Sequence, residues 1–223
     1  MMSRIRKLAP LVGTICITAL SGGCGAISQQ SDAVSLIDYM RQSYGKRSEV
    51  TLQEAASVPY ASIGVRVGDS NQVILVLGTQ EQDTLLWTSA ARISLITKNG
   101  RIVRTGGLSP DLTYYRNMGE SRDKNGRLIT RWSADFRELG LYGIVIACAE
   151  QQPEGETISI LGKEIQTLRV EERCKSQDSQ LDWSFKNIFW RDAQTQMVWR
   201  SLQHVSPKLD AISVDILRPL AAD

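Results

Sequence analysis

Asn99-Gly100 lies between two β-rich runs, Leu85–Lys98 and Arg101–Leu108. A two-residue Asn-Gly loop is the strongest short hairpin signal, because a type I′ turn needs positive φ at both central residues. It predicts an antiparallel pair in which Thr97 faces Ile102, Ile96 faces Val103 and Leu95 faces Arg104. Apolar residues then fall on both faces of the pair. That suits a closed or two-layered β structure better than a sheet with one wet face.

The flanking segments extend the pattern. Ala61, Ile63, Val65 and Val67 alternate with Tyr60, Ser62, Gly64 and Arg66, and a turn at Gly68–Asn71 leads to a second strand over Gln72–Gly78. Gly106–Met118 reads as irregular, Asp123–Gly126 as a hairpin turn, and Tyr142–Ala149 as a nearly continuous apolar strand. Thr157–Leu161 pairs with Ile165–Glu171 around Gly162-Lys163. Leu181–Trp190 and Met197–Gln203 form a last hairpin before a strand over Ala211–Arg218. Ahead of the strands, Asp32 caps a helix running to about Tyr44, with Val34, Ile37, Met40 and Tyr44 on one stripe. The prediction is an all-β fold, an antiparallel barrel-like or sandwich domain of about a dozen strands with one short N-terminal helix. At 223 residues and 42% apolar composition the chain is long enough to bury a core.

The amino terminus gives an address. Met1–Lys7 is a short basic stretch, Leu8–Leu20 a 13-residue apolar run, and Leu20-Ser-Gly-Gly-Cys24 follows with small residues where a signal peptidase cuts. Two readings of Cys24 stand side by side. In one it is the lipidated first residue of a bacterial lipoprotein, although the leucine sits four residues before the cysteine rather than three. In the other an ordinary signal is cut nearby and the thiol is free. On the first, residues 1–23 are the signal, 24–32 a lipidated tether and 33–223 one all-β periplasmic domain. Gly25, where an aspartate would retain the protein at the inner membrane, favours the outer membrane by resemblance to bacterial sorting rules. Acyl chains hold a membrane at about 0.8 kcal/mol per buried methylene.

Charge excludes one class. The formal charge is +2, but Arg4, Arg6 and Lys7 lie in the expected signal; without them 23 basic groups face 24 acidic ones. A nucleic-acid binder carries a strong basic excess, so no nucleic-acid partner is expected. Cys148 and Cys174 are the even pair left in an exported domain, and a bridge between them is expected over two separate thiols.

Candidate chemistry is thin. His204 is the sole histidine, which removes multi-histidine metal sites, and the chain holds no Gly-x-Ser-x-Gly elbow. Glu171-Glu172 and Asp178–Asp182 lie in polar stretches and read as solvated surface. Trp87, Trp132, Trp183, Trp190 and Trp199 sit in alternating strands, where core packing is the default over sugar stacking. Arg116, Arg122, Lys124, Arg127, Arg131 and Arg137 are interspersed with Glu120, Asp123, Asp135 and Glu138, which makes a mixed, solvated face.

Several short motifs carry a resemblance: Cys24; Pro59-Tyr-Ala-Ser-Ile63; Trp87; Gly100-Arg101 with Arg104-Thr105-Gly-Gly-Leu108; Trp190; Val198-Trp199-Arg200-Ser201-Leu202-Gln203; Ser206-Pro207; and Ile216-Leu-Arg-Pro219. In that order they resemble the YjbF-type lipoproteins, the group 4 capsule polysaccharide lipoproteins. Two local features depart from the family: Gln194-Thr195-Gln196 stands where a glycine turn is expected, and the cysteine pair is not carried over from it. The resemblance implies an outer-membrane lipoprotein facing the periplasm, barrel-like, without cofactor, metal or catalytic residues. Its implied partners are an outer-membrane barrel and periplasmic export proteins, with polysaccharide as a further candidate. The positions that define the fold first, and partner contact second, are Arg101, Arg104, Thr105, Gly107, Trp199, Ser201, Gln203 and Pro207. A periplasmic domain that binds or modifies glycan is the alternative reading.

Overall fold

The computed structural model describes residues 48–179 and 181–220. Within them a short helix, α1 (Leu52–Ser57), precedes thirteen strands. These are β1 (Ser62–Val67), β2 (Val73–Glu81), β3 (Thr84–Thr88), β4 (Ser94–Lys98), β5 (Arg101–Gly106), β6 (Tyr114–Arg122) and β7 (Leu128–Phe136). There follow β8 (Leu141–Glu150), β9 (Glu154–Ile160), β10 (Lys163–Ser176), β11 (Ser184–Asp192), β12 (Val198–Gln203) and β13 (Ile212–Arg218). The helix expected from Asp32 to Tyr44 lies outside the described residues. The observed α1 starts from a capping box: the Glu54 N–H donates to Thr51 Oγ1, and the Thr51 N–H donates to Glu54 Oε2. Thr51-x-x-Glu54 is a legible start signal of its own.

The sheet runs β5-β4-β3-β2-β1-β13-β12-β11-β10-β8-β7-β6, and every pairing is antiparallel. Val65 pairs with Val214, so the first and last strands close on each other. The seam of this nearly closed barrel therefore falls in mid-chain, between β5 and β6. There the Thr105 N–H reaches the Leu112 carbonyl at 2.9 Å. Near-closure leaves few unpaired edges and gives each strand an inner and an outer face.

The hairpin register holds only at its base. Thr97 faces Ile102 as expected, but Ile96 faces Arg104 and Leu95 faces Thr105. Val103 is an extra residue, a β-bulge that shifts the ladder by one. Its effect is that Ile102 and Thr105, three residues apart, are both buried while Arg104 stays exposed. A second bulge puts Trp190 opposite Arg200 and Arg191 opposite Val198, leaving Trp199 as the additional residue. The stretch expected to be irregular over Gly106–Met118 instead delivers β6 from Tyr114 onward.

Ile63, Val65, Leu75, Trp87, Leu95, Phe136 and Ile146 fill the barrel. β9 alone lies off the main path, paired with the first half of β10, and this hairpin folds over the outside, where Ile158, Ile160 and Ile165 pack on Trp190, Trp199 and Leu217. Each such side chain removed from water is worth about 1.5–3 kcal/mol. Beneath that hairpin Asp215 accepts from Arg200 Nε at 2.5 Å and from Gln72 Nε2 at 3.0 Å, while Arg200 also donates to the Ser159 carbonyl. Gly64 makes room for Gln72, because a Cβ there would stand 2.7 Å from its side chain.

Candidate functional site

Among the motif positions, Arg101, Thr105, Ser201 and Gln203 are buried. Arg101 pairs with Glu172 on β10, and its guanidinium lies between the rings of Trp132, 4.6 Å from the centroid, and Phe189, 4.8 Å away. Tyr115 stacks on Trp132 at 4.7 Å with an interplanar angle of 5°. The result is a buried cluster of three aromatic rings around one cation. Burial pushes the Tyr115 phenol well above its ordinary range, against the opposing pull of the Arg101 charge. Glu172 is thus interior, and the solvated-surface expectation for it is corrected: β10 alternates, and Glu172 shares the inward parity of Cys174.

Gln203 projects into the same interior and satisfies the bulged strand. The Ile102 N–H donates to its Oε1 at 2.9 Å, and its Nε2 donates to the Gly100 carbonyl at 2.9 Å and to Ser201 Oγ at 2.9 Å. The Val103 bulge disrupts the local ladder, and this one amide bonds the backbone just before it, at Gly100 and Ile102.

The seam is built by Thr105 and Asp111. Thr105 Oγ1 donates to Asp111 Oδ1 at 2.7 Å and accepts from the Leu112 N–H at 2.8 Å. Asp111 also accepts from the N–H groups of Gly107 and Leu108. Gly107 has φ +83°, and a Cβ there would stand 2.6 Å from the Arg92 carbonyl oxygen, so only glycine fits. Arg104 is exposed beside this loop, in a groove shared with Arg137 and Glu138.

Cys148 and Cys174 face each other in the β8–β10 register and are bridged. Glu172 approaches both sulfurs, but bridged sulfurs are not thiolates and offer no metal site. His204 is held as a strand-end residue: its N–H donates to Asn187 Oδ1 and its Nδ1 lies 2.9 Å from the Lys186 carbonyl. Pro207 is half-buried in the turn after β12, and Trp199 lies under the outer hairpin. None of the five tryptophans is exposed. Cys24 lies outside the described residues.

One end of the barrel is open. The β2–β3, β4–β5 and β11–β12 turns and the segment after β13 surround a cavity of about 600 Å³. Its wall carries Ile63, Leu85, Val198, Val214 and Ile216, and its rim carries Gln82, Asp83, Asn99, Arg191, Thr195 and Gln196. The Gly100 turn is seated against the β11–β12 hairpin, since a Cβ on Gly100 would meet Val198 at 2.5 Å. The volume falls within the range of about 300–1,000 Å³ usual for ligand pockets. Sequence reasoning missed this cavity because its lining comes from seven separate strands and their turns.

A nearly closed antiparallel barrel with one short helix, a buried cation among aromatic rings and one open end defines the class: a strand-built domain of YmcC-like fold. Residues 30–217 match the family described as group 4 capsule polysaccharide lipoprotein gfcB, YjbF, and the chain belongs to that family. It is similar to the uncharacterized lipoprotein GfcB of Escherichia coli K12, at 26% identity over 220 residues, covering 95% of this chain and 99% of that protein. The crystal structure of the hypothetical lipoprotein YmcC from the same organism shares the fold with a TM-score of 0.61 and 21% identity, across 87% of this chain and all of that one. The family places the chain among membrane-anchored lipoproteins with a role in capsule polysaccharide processes, and its description carries no enzymatic activity.

Proposed function

We propose that the protein is an outer-membrane lipoprotein, acylated at Cys24 and facing the periplasm, that serves capsule or exopolysaccharide secretion as a non-enzymatic accessory or assembly component. The family match over residues 30–217 is the observation that carries this reading. A second observation supports it. The polar side chains at three buried motif positions are spent on the fold itself: Arg101 on Glu172, Thr105 on Asp111 and Leu112, and Gln203 on Ile102 and Gly100. They define a rigid body presented to partners, and those partners are an outer-membrane barrel and periplasmic export proteins.

Co-purification of the acylated chain in mild detergent tests this. The reading expects an outer-membrane export protein to be retained by the wild-type chain and lost when the membrane anchor is removed by Cys24→Ala. Cleavage of the polysaccharide by the purified chain unaided contradicts it.

A further inference from the structure

We propose that the open end of the barrel is a binding site for an acyl chain with an anionic head. The inference stands on the cavity alone and does not rest on the polysaccharide reading.

The wall is aliphatic. Ile63, Leu85, Val198, Val214 and Ile216 make most of the inner wall. The Thr97 and Ser201 hydroxyls that share it already accept from Trp87 Nε1 and Gln203 Nε2. Water there finds few further partners, and an apolar chain gains by replacing it. A sugar suits it poorly. The one aromatic residue of the lining, Trp87, is 1% exposed and its indole N–H is committed to Thr97 Oγ1 at 2.9 Å, so no ring face is offered for stacking. Sugar hydroxyls set against the aliphatic wall would lose water without gaining partners.

The rim differs in character. Gln82, Asn99, Thr195 and Gln196 are exposed hydrogen-bonding side chains at the opening. Two charges accompany them. Asp83 is engaged by Lys98 at 3.4 Å. The Arg191 guanidinium stands 5.7 Å from the Phe189 ring centroid and, among the described residues, has no carboxylate within ion-pair distance. The charge left for a ligand is therefore positive and sits at the mouth, above an aliphatic interior. That is the arrangement of an amphiphile: chain inward, anionic head at Arg191, neutral polar groups on the amides. The amphiphile is a fatty acid or an anionic membrane lipid, since the amide- and ester-linked chains of an acylated cysteine bear no charge for Arg191.

The test uses the full chain carrying Cys24→Ala, titrated with cis-parinaric acid and followed by fluorescence. Saturable enhancement, reversed by palmitate and unaffected by capsule oligosaccharide, is expected. Arg191→Gln is expected to weaken the acid about fivefold while leaving the alcohol of equal length within about twofold, because only the acid presents a charge. Ile216→Trp, which fills the cavity, is expected to weaken both by about tenfold, equivalent to about 1.4 kcal/mol. Probe uptake by the acylated wild-type chain in nanodiscs is expected as well; uptake by Cys24→Ala alone overturns the proposal, because it shows the cavity filled by the protein's own uncharged acyl group. Absence of saturable enhancement, displacement by oligosaccharide, or equal weakening of acid and alcohol by Arg191→Gln overturns the proposal.

Discussion

Arg101 on β5 and Glu172 on β10 meet across the barrel interior, 71 residues apart in sequence, with the guanidinium held between the rings of Trp132 and Phe189. Both side chains are buried, so removing either leaves the other charged and unpaired. Arg101→Ala or Glu172→Ala is expected to cost about 3–5 kcal/mol, whereas the joint replacement Arg101→Met with Glu172→Leu is expected to fall much closer to the parent. Urea unfolding of the four proteins in a double-mutant cycle measures this, and additive losses would contradict the pairing.

Gln203→Ala removes the amide that serves Ile102 and Gly100, stranding a buried N–H and a carbonyl. A loss of about 2–4 kcal/mol is expected, at about 1–3 kcal/mol for each unsatisfied group. Gln203→Glu retains the acceptor for Ile102 but not the donor for Gly100, and it adds a buried charge. It is expected to be at least as harmful as alanine in the same unfolding assay.

At the seam, Thr105→Val deletes the hydroxyl between Asp111 and Leu112 and is expected to cost about 2–3 kcal/mol. Gly107→Ala forces a Cβ against the Arg92 carbonyl at positive φ and is expected to cost about 2 kcal/mol or more. Hydrogen exchange should show the Thr105 amide, which donates to the Leu112 carbonyl, losing protection in both variants before the β1–β13 amides do. Uniform loss across the barrel would contradict the seam's being the weak edge.

Reduction of Cys148–Cys174, which are 26 positions apart, is expected to lower stability by about 3.5 kcal/mol in the chain-entropy model. Chemical unfolding with and without reductant, alongside thiol titration, checks it. Two titratable thiols in the folded, unreduced protein would contradict the bridge.

Legibility followed the range over which each signal acts. Asn99-Gly100 placed a hairpin and its first pair, because turn chemistry is local. The Val103 bulge escaped because it is matched to Gln203, a hundred residues on, and no alternation pattern encodes that bond. Glu172 looked solvated beside Glu171, yet the two point to opposite faces of β10; period-2 alternation was the available clue. β6 was hard to see because its burial pattern is exposed almost throughout, so it has no apolar face to read. The motif at Arg101–Leu108 was visible in sequence, but its work in closing the seam needed Asp111 and Leu112 in space. The mouth cavity, assembled from distant turns, had no linear signature at all.

Two aspartates should respond oppositely to acid. Burial raises the Asp111 carboxyl above its ordinary value of 3.8, against the hydrogen bonds from Thr105, Leu108 and Gly107, and Glu138 adds to the rise. The folded chain then holds that proton at higher pH than the unfolded one, so its contribution to stability declines as pH rises through the window above 3.8. The backbone N–H groups of Thr195 and Gln194 hold Asp192 below its ordinary value. Its contribution is present above the unfolded value and is lost as pH falls through the lower, folded one. Carboxyl NMR titration should place the Asp111 midpoint above, and the Asp192 midpoint below, that of a free aspartate. The stability difference between wild type and Asp192→Asn should shrink as pH falls below about 4.

If this lipoprotein serves polysaccharide secretion by contact, as proposed, a strain lacking it should distribute polysaccharide differently between cell surface and cell interior. Surface polymer is expected to fall while polymer accumulates inside, and restoring the wild-type chain is expected to reverse both. An unchanged surface layer in the deletion strain would contradict the proposal.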